Sequence, residues 1–84
     1  MIISFFDNSW EEYLYWQQND RKMLKKLNEL IKVIQRDPFH RPGKPEQLKH
    51  ELQGCWSRRI SKEHRIVYRV RDHSIEILSC RFHF

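Results

Sequence analysis

A change of apolar period near residue 37 constrains the fold of this chain more than any other feature. Met23, Leu24, Leu27, Leu30, Ile31 and Ile34 recur at about 3.6-residue spacing, with Arg21, Lys22, Lys25, Lys26, Glu29 and Lys32 on the remaining face. The pattern stops at Asp37-Pro38, because proline disfavours a helical residue before it. A rigid loop rich in Pro and Gly, Phe39 to Pro45, follows. After it the apolar residues come in short runs, Gln47 to Leu52, Cys55 to Ile60, Ile66 to Val70 and Ile75 to Phe82, with polar turns such as Ser61 to Glu63 and Asp72-His73 between them. Short runs between turns predict an antiparallel meander of about four strands. The second half therefore excludes a helix bundle, and the helical stripe is there to cover a sheet.

Ahead of that stripe, Ile2 to Phe6 reads as a short buried strand bounded by Asp7-Asn8-Ser9. Ser9 and Glu12 have the spacing of a capping box, which predicts a first helix over about Trp10 to Gln18. The second helix opens near Asp20. Trp10, Tyr13, Trp16 and Trp56 are read as core and helix–sheet packing. The expected class is α+β, with two N-terminal helices packed on one face of a mainly antiparallel sheet of four to five strands. At 84 residues the chain is a single domain, 1–84, with one core and no room for a deep cavity.

No apolar run reaches the roughly 20 residues that a membrane span needs, and the start lacks signal-peptide character, so a cytoplasmic protein with no membrane partner is expected. Cys55 and Cys80 are then two reduced thiols. No CxxC pair and no His/Cys/Asp spacing supports a metal site, so no metal or cofactor is expected. Charge is uneven: Met1 to Asp37 holds 6 basic and 6 acidic side chains, whereas Pro38 to Phe84 holds 10 basic and 5 acidic and all 5 histidines. A net +5 concentrated in one half points to a polyanion on one face, or to a merely soluble basic surface.

Strand register narrows the place. If Trp56, Arg58 and Ile60 share one side, Ser57 and Arg59 take the other; on the next strand Ile66, Tyr68 and Val70 oppose Arg65, Val67 and Arg69. Facing Ile60 and Ile66 to one core requires an odd-length turn at Ser61 to Glu63 and puts Arg59 opposite Arg65, away from the helices. Like charges so opposed are unfavourable unless they splay into solvent or an anion lies between them.

No nucleophile elbow or glycine-rich phosphate loop is present, which removes support for covalent acyl chemistry and nucleotide-triphosphate chemistry. RNA hydrolysis needs neither, because the 2′-hydroxyl is the nucleophile. The protein supplies a base, an acid and cations for the phosphorane. Glu46 and Glu63, His50, His64 and His83, and Lys49, Arg58, Arg59, Arg65 and Arg81 are candidate parts, a list any small basic domain could offer.

The segments SWEEYLYWQQND, KLNELIK, DPF, GKPEQLKHELQGCWSRRISKEHRIVY and the terminal CRFHF, which together cover nearly the whole chain, resemble the YoeB branch of the RelE/ParE toxin superfamily. The resemblance implies a RelE-like fold and the toxin of a type II toxin–antitoxin pair. Such a toxin cuts translated mRNA in the ribosomal A site, with no metal. By the same resemblance Glu46 is the general base, Arg65 stabilises charge on the phosphate and His83 is the general acid; an imidazole titrating near about 6.5 suits that task. Lys49 and Arg59 match RNA-binding positions. Phe84 departs from the His-Tyr ending common in the family, keeping a ring to stack on a base but lacking the phenolic hydroxyl. Implied partners are a YefM-like antitoxin, the 70S ribosome with its mRNA, and a second copy in a homodimer. Two other functions fit a basic domain of this shape: a ParE-like toxin that binds DNA gyrase without cutting, and a plain RNA-binding module. His50, His64 and His73 match no catalytic position and are read as surface or RNA-facing residues.

Overall fold

The computed structural model describes residues 1–39 and 45–82. Residues 40–44 of the expected loop, and the candidate site residues His83 and Phe84, lie outside them. The elements are β1 (Ile2–Phe5), α1 (Asp7–Asn19), α2 (Arg21–Arg36), β2 (Glu46–Gln47), a 3₁₀ turn (His50–Leu52), β3 (Trp56–Arg59), β4 (Arg65–Arg71) and β5 (Ser74–Ser79). They form one mixed sheet in the order β1-β5-β4-β3-β2, in which β1 is parallel to β5 and every other pair is antiparallel. Two helices packed on this sheet give the expected α+β class. No helix among the described residues is long and apolar enough to cross a membrane.

The helices pack through the stripe read above. Leu27 and Ile34 of α2 and Trp16 of α1 meet Ile60, Ile66, Tyr68, Ile75, Ile77 and Cys80 in the core. Burying an aliphatic side chain of this size contributes roughly 1.5–3 kcal/mol, so Leu27 and Ile34 anchor α2. Asp20 opens α2 as expected, accepting from the Met23 N–H at 3.1 Å. At the other end of α2 a charged residue is buried. Arg58, fully enclosed on the core side of β3, donates from Nε to the Tyr68 hydroxyl (3.0 Å) and from Nη2 to the Asp37 carbonyl (2.7 Å). It fastens the end of α2 to the sheet and is withdrawn from any role as a surface cation. Burial pushes the Tyr68 hydroxyl above its ordinary pKa, with Arg58 opposing.

Several local expectations are corrected. Helix α1 starts at Asp7, behind Phe6, which has no side-chain cap. Ser9 and Glu12 do not form a capping box. The Ser9 hydroxyl lies within reach of the Phe6 and Ile77 carbonyls (2.9 and 2.7 Å), and the Glu12 carboxylate accepts the Cys80 N–H at 2.8 Å. The same face of α1 adds Trp16, whose Nε1–H donates to the Cys80 carbonyl at 2.9 Å. These polar groups clamp the end of β5. Strand β1 is a half-buried edge strand, paired among the described residues only with β5, which leaves Ile2 68% exposed. The expected strand Gln47 to Leu52 becomes a two-residue strand and a 3₁₀ turn, because His50 takes a positive φ of 59° that a strand excludes. Finally, β5 ends at Ser79. Its apolar residues of both parities are reconciled by a bulge: Tyr68 faces Ile77 but Val67 faces Ser79, so Ile75, Ile77 and Cys80 all reach the core. Trp10 is likewise more exposed (46%) than a core reading allows, though its ring stacks on Tyr13.

Candidate active site

The side of β2, β3 and β4 that faces away from the helices gathers the basic residues. Arg59 pairs in register with Arg65, as the odd-length turn requires, and Glu46 of β2 pairs with Ser57 of β3. Three strands thus bring Glu46, Ser57 and Arg65 side by side. The Arg65 side chain is 10% exposed. Its Nε donates to the Ser57 hydroxyl at 3.0 Å, and its Nη2 lies 3.6 Å from Glu46 Oε2. Glu46 itself is 63% exposed in its side chain, so one anchored cation stands beside one solvated carboxylate. The partner of Arg65 is therefore Glu46, while Glu76 pairs with Arg69. Arg59 is exposed directly opposite, and Lys49 is exposed just ahead of the 3₁₀ turn.

A buried guanidinium oriented by a neutral hydroxyl keeps its charge for an incoming anion. The exposed Arg59 opposite adds a second positive charge beside the Arg65–Glu46 pair, so this face suits an anion. Neither thiol joins this chemistry. Burial, reinforced by the Glu12 carboxylate, pushes Cys80 up to about 12, and burial also raises Cys55, so both remain protonated near neutrality. Among the described residues no group of three His, Cys, Asp or Glu side chains gathers in the geometry of a metal site.

The Phe82 carbonyl accepts the Arg65 N–H at 3.2 Å, which holds Phe82 against the start of β4. Sequence reading did not anticipate Ser57 as the residue that orients Arg65, although its place on the Arg59–Arg65 face was legible from strand parity. Nor did it anticipate His64, whose ring packs edge-on to Trp16 at 4.7 Å and whose Nδ1 accepts the Phe82 N–H at 2.7 Å.

Residues 5–84 match the family of YoeB-like toxins of bacterial type II toxin–antitoxin systems. The chain is 54% identical to Toxin YoeB of Escherichia coli strain K12 over 84 residues, covering 100% of both chains. The chain belongs to the YoeB-like toxins. The solved YoeB/ParE toxin from Agrobacterium tumefaciens superposes with a TM-score of 0.97 at 45% identity, with 100% of both chains covered. YoeB of Staphylococcus aureus, solved as a YoeB–YefM complex, gives a TM-score of 0.92 at 49% identity, covering 100% of this chain and 98% of that one. Its YoeB dimer gives 0.92 at 50% identity with the same coverage. As a YoeB-like toxin the protein is the toxin component of a type II toxin–antitoxin system.

Proposed function

We propose that this toxin is a metal-independent endoribonuclease that cuts mRNA on the ribosome. The observation that supports it most is the pairing of an anchored cation with a solvated carboxylate: Arg65 held by Ser57, with Glu46 at 3.6 Å and Arg59 opposite. In this reading the scissile phosphate takes the outer side of Arg65, in contact with Arg59 and Lys49. Glu46 accepts the proton of the 2′-hydroxyl as its oxygen attacks phosphorus. Arg65 stabilises the charge gathering on the phosphorane oxygens. His83 gives a proton to the departing 5′-oxygen, and Phe84 stacks on a base. The P–O5′ bond breaks, leaving a 2′,3′-cyclic phosphate and a 5′-hydroxyl. A gyrase-binding protein would need no base beside a phosphate cation.

The site is an open sheet face on an 84-residue chain, which cannot enclose RNA. The ribosome then supplies the positioning that is a large part of the barrier reduction. A YefM-like antitoxin and a homodimer are the proposed protein partners, consistent with the Staphylococcus aureus complex and dimer, and the cytoplasm is the proposed site of action. The test is single-turnover cleavage of mRNA with and without programmed ribosomes. Glu46→Gln and His83→Gln should each lower the rate by roughly 10²–10⁴ while ribosome binding stays intact. Equal rates on naked RNA would defeat the ribosome requirement. Wild-type rates in both variants would defeat the assigned mechanism.

A further inference from the structure

We propose that His64 is a positioning residue that holds Phe82 at the entry of β4 through the lone pair of its Nδ1. The Phe82 N–H donates to this atom at 2.7 Å, and the next hydrogen bond along the chain is Arg65 N–H to the Phe82 carbonyl at 3.2 Å. Phe82 is thus gripped on both sides of its α-carbon by consecutive residues of one strand entry. It needs that grip. Its φ is 64°, in the left-handed region that a bulky non-glycine residue avoids, and such a conformation persists only when its surroundings over-determine it.

The His64 ring is itself fixed. It stands edge-on to Trp16 at 4.7 Å and tilted against the Phe82 ring at 5.1 Å. Trp16 is held in turn by its bond to the Cys80 carbonyl. Arg81, between these anchors, lays its guanidinium carbon 3.5 Å from the Tyr15 ring centroid and 4.6 Å from that of Phe82. An Nδ1 that accepts a hydrogen bond requires the neutral imidazole with its proton on Nε2. His64 touches no reacting atom. It acts by setting where the chain stands as it leaves Phe82 for position 83, so its effect on cleavage rests on the reading of His83 as the acid.

Two substitutions separate the lone pair from the ring. His64→Phe keeps an aromatic against Trp16 and Phe82 but has no acceptor, whereas His64→Asn places an amide oxygen near the Nδ1 position. Amide hydrogen exchange at Phe82 in the intact protein should be about 3- to 10-fold faster in His64→Phe, and near wild type in His64→Asn, as expected for loss of one hydrogen bond. Circular dichroism serves to check that both variants fold. Long-range ¹H–¹⁵N spectra should show His64 in the Nε2–H tautomer. Unchanged exchange in His64→Phe, equally fast exchange in both variants, or an Nδ1–H tautomer would each overturn the tether. In single-turnover cleavage His64→Phe should be slower by a similar factor and His64→Asn restored, with ribosome binding unchanged. If exchange responds but cleavage does not, while His83→Gln is still impaired, the positioning role is overturned. If His83→Gln cleaves at the wild-type rate, the acid assignment fails instead, and the exchange data alone decide the tether.

Discussion

Under the proposed mechanism, Ser57→Ala should slow cleavage without changing any residue assigned to RNA. Ser57 is 1% exposed and its hydroxyl accepts from Arg65 Nε at 3.0 Å, so its removal leaves a charged donor, on a side chain only 10% exposed, without that partner. A hydrogen bond to a charged group is worth about 1.5–3 kcal/mol, and the guanidinium recovers part of that by turning toward Glu46, its 3.6 Å neighbour. On the proposed mechanism the turn is doubly harmful: it draws the cation from the phosphate and ties down the proposed base. If the whole of that energy is lost from the transition state, the rate falls roughly 10- to 150-fold. The assay is single-turnover cleavage on programmed ribosomes for Ser57→Ala, Arg65→Ala and the double variant. Because Ser57 acts only through Arg65, the serine change should cost almost nothing in the Arg65→Ala background, giving a coupling energy close to the single-variant loss. Additive losses, or a wild-type rate in Ser57→Ala, would refute the idea that Ser57 orients the arginine.

Restoring the terminal hydroxyl with Phe84→Tyr should raise the single-turnover rate if the phenol does more than stack, and an unchanged rate would show that the ring suffices. Leu27→Ala empties a fully buried position and should destabilise the fold by about 2–5 kcal/mol, lowering Tm by roughly 10–30 °C in thermal unfolding. Cys80 is pushed up to about 12 from 9.0, so the folded protein holds its proton where the unfolded chain has lost it. Its contribution is complete below about pH 9 and is lost as pH rises through 9–12, by up to about 1.4 kcal/mol per unit, a slope that urea titrations should show reduced in Cys80→Ala.

Much of the architecture is legible in the sequence alone. A helical stripe from Met23 to Ile34 and the short runs after Pro45 have different periods, and period is set by backbone geometry that no tertiary contact can alter. The register of Arg59 against Arg65 was legible for a similar reason: three turn residues between two strands, with Ile60 and Ile66 both apolar, leave one pairing that buries both. The roles expected of Glu46, Arg65 and His83 came from likeness to a family, since no local rule distinguishes them from the other charged residues of a basic chain.

Only the tertiary structure decided what the ambiguous polar residues do. Ser9 and Glu12 have the spacing of a helix cap, yet their partners are Ile77 and Cys80, and spacing cannot rank a local amide against one nearly 70 residues away. Arg58, Arg59 and Arg65 are equivalent as letters. One is sealed under α2, one is exposed and one is anchored by Ser57 beside Glu46. His64 reads as one more surface imidazole until Phe82 folds back to it across 18 residues. Helix stripes and strand alternation are repeated patterns summed over many positions, whereas each of these contacts is a single event whose partner exists only once the sheet has closed.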